Sequence, residues 1–251
     1  VVSDSGNKYR FNDFGTSAVT LDLQEGGVYT FNMDDSSNAS HPFSIGESAN
    51  GTVYTSGITY SLDGVSKTYN EYTSGFASAT TRRLVFTVPS SAPALYYWCS
   101  VHSGMGGAIN TNSTKGSSNF AGSIQSKVQS NSTAGFSIVN YVGTGANSSD
   151  VTIGHGLSTT PRMVIVKNRT DSSTRWQVYH EDLSADATYT KKNLLLNSSS
   201  AQSGYASQIK AVSATTFTVR DTDSNGNAFV NKSSSNYAAF VFAEVEGYSK
   251  F

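Results

Sequence analysis

Short segments in which apolar and polar residues alternate recur along the whole chain, and this pattern limits what the chain can fold into. Alternation with a period of two is typical of a strand with one buried face. It is clear over 18–23 and 28–33, and the Gln-Glu-Gly-Gly sequence at 24–27 predicts a tight turn, and hence a hairpin. Helical periodicity over ten or more residues is hard to find, and the polar stretch 61–79 is predicted to form loops around a short strand. The sequence therefore predicts an all-β protein.

A change in composition near the middle of the chain predicts two domains. Residues 110–119 contain no apolar side chain and cannot contribute to a core, and the weakly patterned segment 124–128 is predicted as one short helix. We therefore predict a first domain over 1–112, a linker over 113–134 and a second domain over 135–251.

Strand patterns continue on both sides of the predicted linker. The further strands are predicted at 41–45, 83–88, 95–99, 136–142, 163–166, 176–180, 194–196, 217–219 and 238–245. Short strands separated by turns rich in Asn, Gly, Ser and Asp favour an antiparallel sandwich in the second domain. The continuous apolar runs 163–166 and 239–242 are predicted to lie in central strands between two covering layers.

The charge content excludes several classes of partner. Charged residues make up 14% of the chain, against roughly 25% in an ordinary soluble protein. The formal net charge is -1 and the Lys and Arg residues are scattered, so the chain lacks the clustered cations of a nucleic-acid site. No apolar run approaches the roughly 20 residues that span a bilayer, so we expect no membrane insertion. A surface of Ser, Thr, Asn and Gly is typical of exported proteins and particle surfaces, so we expect a virion-surface or extracellular location.

A soft ligand set lies directly after one of the predicted strands. That strand ends at Cys99, and a tight loop with three glycines then carries His102 and Met105, so thiolate, imidazole and thioether lie within seven residues. Blue-copper sites combine two imidazoles and one thiolate with a long axial thioether. His41, in a strand-like segment far upstream, supplies the second imidazole.

The sequence therefore predicts a copper site, with two alternatives left open. Zinc also binds to Cys-His-His sites. In the other alternative no metal binds, because Cys99 is the only cysteine and a lone thiol is commonly a small buried hydrophobe. A lone cysteine also excludes an internal disulfide.

The four residues also carry a resemblance to a known family. Residues 9–109 resemble a cupredoxin domain, in which an early His-Pro-Phe-like strand and a late Cys-x2-His-x2-Met loop supply the metal ligands. The early motif matches at His41, and the late motif matches at Cys99, His102 and Met105. The resemblance implies a Greek-key sandwich with the metal site at one end.

Three motifs in the second half carry another resemblance. They are a Gly-Phe-Ser-Ile-Val strand that leads to Gly-Thr-Gly (135–145), a Gly-His-Gly-Leu turn (154–157) and a Pro-x-Met-x-Ile-Val-Lys-Asn-Arg strand (161–169). In this order they resemble a β-sandwich module of structural and tail-fibre-like proteins of marine bacteriophages, particularly cyanophages. Cupredoxin-like segments with a similar aromatic-Cys loop also resemble modules of such virion proteins.

No catalytic motif stands out, and we expect no enzymatic activity. Serines are too numerous for a nucleophile to stand out, and no Gly-x-Ser-x-Gly elbow occurs. His155 and His180 are expected to pack and to hydrogen bond rather than to act as ligands. Carboxylates that could pair for glycoside cleavage are expected instead to satisfy turn amides; they are Asp34, Asp35, Glu181, Asp182, Asp221 and Asp223.

The resemblances imply an external structural protein of a virion, such as a tail-fibre or decoration component. We expect a homo-oligomer, or assembly with other virion or surface proteins, in which the copper-type site clamps the segments 40–43 and 98–105. Because the chain begins at Val1, we expect a processed product or part of a longer chain.

Two other functions stay open at this stage. One is an extracellular blue-copper electron-transfer protein with an attached binding module, since Val101 and Ser103 beside His102 neither form nor exclude a docking face. The other is a module that recognises a host-surface glycan, which the Tyr and Trp residues favour.

Overall fold

The computed structural model of the protein describes residues 1–145, 149–187, 190–204, 207–221 and 229–251. Within these ranges strands dominate and the helical segments are short, so the all-β prediction is confirmed. Contacts divide the chain into two compact units, Val1–Ser117 and Ser118–Phe251. No helix in the described ranges has the length and apolar character needed to cross a membrane.

The first unit consists mainly of two four-stranded sheets. Its strands are β1 (Val2–Ser3), β2 (Asn7–Lys8), β3 (Leu21–Gln24), β4 (Val28–Asn32), β5 (Phe43–Gly46), β6 (Ile58–Leu62), β7 (Val65–Lys67), β8 (Arg82–Thr87), β9 (Leu95–Cys99) and β10 (Gly107–Asn112). Helix α1 spans Tyr69–Gly75, and a 3-10 helix spans Ser36–Asn38. One sheet has the order β3-β10-β9-β5 and the other has the order β4-β8-β6-β7. The β3–β10 pair is parallel, and the other pairs in these sheets are antiparallel.

The core of the first unit joins these two sheets. Phe31 of β4 stacks on Phe43 of β5 with ring centroids 4.7 Å apart, so this contact connects a strand of each sheet. Leu84 and Ile109 are fully buried, and burial of a side chain of this size contributes roughly 1.5–3 kcal/mol. Every residue of β5 is buried, and Tyr72 of α1 donates a hydrogen bond to the Phe43 carbonyl at 3.3 Å. This packing fixes the strand that follows the first predicted ligand.

The hairpin predicted over 18–33 is wrong. The turn itself forms, because the Gly27 N–H donates to the Gln24 carbonyl at 3.1 Å, but β3 and β4 belong to different sheets. The Glu25 N–H donates to the Asn112 carbonyl at 2.6 Å, which ties the turn to β10 instead. Alternation identifies a strand with one buried face, but it does not identify the partner of that strand.

The stretch 61–79, predicted as loops around a short strand, contains the short strand β7 and also helix α1, which was not predicted. Thr68 accepts a hydrogen bond from the Glu71 N–H at 3.3 Å, and the Glu71 carboxylate accepts one from the Thr68 N–H at 2.8 Å. This capping box is visible in the sequence as Thr-x-x-Glu and marks the start of a helix. The helix has seven residues, which is too short to produce a clear amphipathic period.

The second unit is built around a seven-stranded and a three-stranded sheet. The strands after β10 are β11 (Ser117–Asn119), β12 (Ser126–Asn131), β13 (Phe136–Val142), β14 (Asp150–Gly154), β15 (Met163–Asn168), β16 (Gln177–His180), β17 (Ala185–Asp186), β18 (Thr190–Lys191), β19 (Leu194–Leu195), β20 (Ser207–Val212), β21 (Thr216–Asp221) and β22 (Asn236–Phe242). The larger sheet has the order β11-β12-β13-β22-β15-β16-β19, the smaller has the order β14-β21-β20, and β17 pairs with β18.

The two apolar runs predicted as central strands do lie at the centre of the larger sheet. In β15 and β22, Val164 and Val241 are opposite each other and fully buried. They belong to one core with Phe217 of the smaller sheet. On the other face Ile165 and Phe240 are only partly buried, so the predicted second covering layer is not seen among the described residues.

The segment 113–134, predicted as a linker, contains strands β11 and β12. Strand β12 pairs with β13 along its whole length, with Val128 opposite Val139. Ile124 and Val128 are buried in the core of the second unit, so the short helix predicted at 124–128 is also wrong. Few apolar residues suffice here, because alternate side chains such as Gln129 face solvent.

His155 has the expected packing and hydrogen-bonding role. It is fully buried, its Nδ1 accepts the Leu157 N–H at 3.2 Å and its Nε2 lies 3.2 Å from the Ser213 carbonyl oxygen. His180 also hydrogen bonds, because its Nδ1 accepts the Asp182 N–H at 3.2 Å. Burial lowers the pKa of His155 below its ordinary value of 6.5.

We expect His155 to make folding pH-dependent. Its pKa is lower in the folded state, so the unfolded chain takes up the proton more readily, and stability falls as the pH drops below 6.5. His155→Gln should cost about 1–3 kcal/mol at about pH 7.5 through broken buried hydrogen bonds. The difference in free energy of unfolding between the variant and the unsubstituted chain should be smaller at about pH 5, because Gln cannot take up this proton. Urea unfolding of both full chains at the two pH values measures these free energies. A difference of equal size at both pH values would contradict the role of His155.

Candidate metal centre

The antiparallel pairing of β5 with β9 brings the first two predicted ligands together. Phe43 lies opposite Cys99 in this register, and His41 precedes β5 by two residues. The Ser100 N–H donates to the Pro42 carbonyl at 3.0 Å, which continues the pairing beyond both strands. As a result, the Cys99 Sγ lies 3.7 Å from the His41 Nδ1, although the two residues are 58 positions apart.

The loop after β9 adds His102 to this pair. The His102 Nδ1 lies 3.7 Å from the Cys99 Sγ, and the His102 backbone N–H donates to the same sulfur at 3.4 Å. The ring centroids of His41 and His102 lie 4.6 Å apart, and the rings are inclined by 50°. One ligand atom from each of the three residues lies within 4.8 Å of the others, so the group could hold a metal ion.

The sulfur–nitrogen distances can be compared with those around one shared ion. With metal–sulfur and metal–nitrogen bonds of about 2.3 Å and 2.0 Å, a sulfur and a nitrogen lie roughly 3.7 Å apart at a bond angle of 120°. At the tetrahedral angle they lie roughly 3.5 Å apart. Both separations from Cys99 are 3.7 Å. The two sulfur–nitrogen separations are therefore compatible with one ion shared by Cys99 and the two imidazoles.

The candidate ligand residues differ in their exposure. Cys99 and His41 are buried, with 1% and 6% of their surface exposed, whereas His102 is exposed. Burial lowers the pKa of His41, and the charge of His102 lowers it further. The neutral imidazole, which is the form that binds metals, is therefore favoured. Met105, the fourth predicted ligand, is 1% exposed and lies in the same loop.

Two glycines give the ligand loop its shape. Gly104 adopts a positive φ of 74°, which glycine tolerates best. Gly106 approaches β9 so closely that an added Cβ would overlap the Tyr97 carbonyl oxygen and would lie 2.9 Å from the Trp98 Cα. The predicted close turn of the backbone around the ligands is therefore present.

Tyr9 borders the site and was not singled out from the sequence. It is buried, its hydroxyl donates to the His41 carbonyl at 2.8 Å and its N–H donates to the Met105 carbonyl at 3.0 Å. Burial raises the pKa of Tyr9 far above its ordinary value, and the nearby Cys99 adds to this shift. No local pattern predicts this role, because both hydrogen-bond partners lie far away in the sequence.

The carboxylates considered for glycoside cleavage mostly hold turns and ion pairs. Asp35 accepts a backbone N–H at the start of the 3-10 helix, and Asp34 and Glu181 each pair with an arginine. The turn prediction is wrong for Asp221, which lies in β21 and is buried. Asp223 lies outside the described residues.

Comparison with known families concerns mainly the second unit. The sequence profile of a domain of unknown function, DUF7483, matches residues 109–251, which is more than half of the chain. The chain belongs to the DUF7483 family. The DUF7483 match begins in β10, so all four predicted ligands, from His41 to Met105, precede it. No curated protein and no solved structure matches the chain.

We expect Gly106→Ala to destabilise the first unit more than Gly104→Ala. At residue 106 the new Cβ overlaps backbone atoms, and the shift that this forces costs about 1–3 kcal/mol. At residue 104 the new Cβ would make only an ordinary contact with the Lys8 Nζ at 3.9 Å, so the strain of the positive φ remains, about 1 kcal/mol. Thermal unfolding of the two full-length variants side by side checks this order, and equal losses would argue against the close approach to β9.

Proposed function

We propose that the first unit is a cupredoxin-like copper domain and that the protein is an external structural component of a virion. In this proposal His41, Cys99, His102 and Met105 bind the ion. The observation that carries the copper site is the convergence of two imidazoles and one thiolate within 4.8 Å. A bound ion would connect the chain before β5 to the loop after β9, so its binding free energy would add to the stability of the fold.

One feature favours copper over zinc. The buried Met105 follows His102 in the ligand loop, and a thioether is a soft donor that completes a blue-copper set.

The virion role is supported by sequence features of the second unit. The motifs at 135–145, 154–157 and 161–169 resemble those of cyanophage structural proteins. The charged fraction of 14% suits a particle surface that stays hydrated through hydroxyl and amide groups. This role implies a location on the virion surface and contacts with copies of this chain or with other virion proteins.

One observation favours a second function, that of a blue-copper electron carrier. The imidazole of His102 is exposed although the other ligands are buried, and the neighbouring Val101 is 64% exposed. A ligand imidazole and an apolar side chain therefore reach the surface together. Such a surface would give electrons a short path between the copper and a docked partner.

We expect copper to stabilise the full chain and Cys99→Ser to abolish this effect. At free copper 100-fold above its Kd, a site present only in the folded state adds about 2.7 kcal/mol. Cu(II) should also produce intense visible absorption that the Ser variant lacks. Ser103→Ala changes a hydroxyl in the same exposed loop and should keep both properties.

The measurements are thermal unfolding with copper, with zinc and with a chelator, together with visible absorption. An unfolding temperature that is the same with copper and with chelator would defeat the clamp. Zinc stabilisation equal to that of copper, without a coloured copper complex, would assign the site to zinc. Fast reversible one-electron exchange combined with little stabilisation would favour the electron carrier.

Assembly is tested separately from metal binding. The structural role predicts that the purified full chain forms a defined oligomer, because virion appendages are built from repeated contacts between chains. Light scattering after size-exclusion chromatography measures the mass, with and without copper. A strict monomer over the whole concentration range would count against this role and would leave the copper site unaffected.

A further inference from the structure

Residues 7–18, which we call the N-terminal strap, contact both segments that carry the proposed ligands. The Tyr9 hydroxyl donates to the carbonyl of His41 at 2.8 Å. On the other segment, the Tyr9 N–H donates to the Met105 carbonyl at 3.0 Å, and the Lys8 ammonium donates to the Gly104 carbonyl. The strap therefore holds the backbone of two ligand segments that lie far apart in the sequence.

The strap itself is held firmly at Tyr9. The Ala18 N–H donates to the Tyr9 carbonyl at 2.8 Å, which closes the strap on itself. The Tyr9 ring meets Phe43 edge to face at 5.1 Å, and Phe11 meets Tyr97 in the same way at 5.3 Å. Tyr9 is 4% exposed, so its hydroxyl points into the protein from a fixed ring.

We infer that Tyr9 is a positioning residue of the metal centre, which fixes the His41 segment against the ligand loop without binding the ion itself. This inference rests on the proposed copper site. The ring of Tyr9 belongs to the aromatic core, its N–H donates to the Met105 backbone and its hydroxyl donates to the His41 backbone. Groups that orient metal ligands commonly change metal affinity 10- to 100-fold when they are removed.

Tyr9→Phe isolates this role from the packing of the ring. The variant keeps the ring and the backbone N–H, and it removes the hydroxyl, which donates to the His41 carbonyl and also lies close to the Cys99 thiol. Tyr97→Phe is the matched control. Tyr97 is also a buried tyrosine of the first unit, but its hydroxyl donates to the Val19 carbonyl at 2.7 Å, outside both ligand segments.

With the full chain, Tyr9→Phe should bind copper at least about tenfold more weakly than Tyr97→Phe. Its copper absorption band and electron paramagnetic resonance spectrum should also shift, because the His41 imidazole is less well fixed. A substitution that only lowers the stability of the fold would weaken copper binding, but it would not alter the spectrum of the bound ion. The spectrum therefore separates a positioning role from a structural one.

A second measurement uses the protein without added metal. Cys99 is 1% exposed, so the rate at which iodoacetamide alkylates it reports the opening of the site. Loss of the Tyr9 hydroxyl bond should speed alkylation roughly fivefold, the factor that corresponds to about 1 kcal/mol of lost hydrogen bonding. The alkylation rate is measured at a urea concentration well below the unfolding midpoint of each variant. Alkylation through global unfolding is then negligible.

The outcomes distinguish this inference from the copper proposal. If the unsubstituted chain binds no copper, the proposed function fails, and the alkylation rates alone decide whether Tyr9 fixes the site. If copper binds and Tyr9→Phe matches Tyr97→Phe in affinity, spectrum and alkylation rate, the inference about Tyr9 is overturned and the copper proposal stands. A change confined to Tyr9→Phe in the spectrum and the alkylation rate supports the positioning role.

Discussion

The pairing of β5 with β9 is the interaction on which the geometry of the first unit depends. Phe43 lies opposite Cys99, and a shift of this register by one residue would turn alternate side chains to the other face of the sheet. The register is held by the core, because Phe43 stacks on Phe31 at 4.7 Å and on Tyr97 at 5.4 Å. The 3.7 Å distance between the Cys99 Sγ and the His41 Nδ1 therefore depends on this aromatic packing. The position of His102 depends instead on the loop after β9.

The residues of the candidate site that lie close together in the sequence could be predicted. Cys99, His102 and Met105 follow one strand within seven residues, and the chemistry of their side chains indicates a soft metal without knowledge of the fold. His41 has no such local signal, and it is predicted only because a blue-copper set needs a second imidazole. Tyr9 could not be found in this way, since a tyrosine in a polar segment has no pattern that predicts hydrogen bonds to two distant backbones.

The fold shows the same difference: local patterns identify strands, but they do not identify contacts between distant segments. The alternation of side chains located β3 and β4, but the partners of these strands depend on which sheet completes the core, and so the predicted hairpin failed. The predicted linker failed for a related reason. A strand such as β12 buries only alternate side chains, so Val128 inside the sheet suffices where the composition looks too polar for a core. Helix α1 was missed although its capping box at Thr68 is visible in the sequence.

The loop after β9 explains why a metal would matter in this unit. Residues 100–104 are all exposed, and only Met105 anchors the loop by burial. Its conformation depends on a few directed bonds, such as the Ser100 N–H to the Pro42 carbonyl and the Tyr9 N–H to the Met105 carbonyl. Apolar packing cannot strengthen a loop whose side chains face water, whereas an ion bound to Cys99 and His102 acts on the loop directly. The second unit contains no comparable group of metal-ligating side chains within its described residues, and it is stabilised by the core between its two sheets.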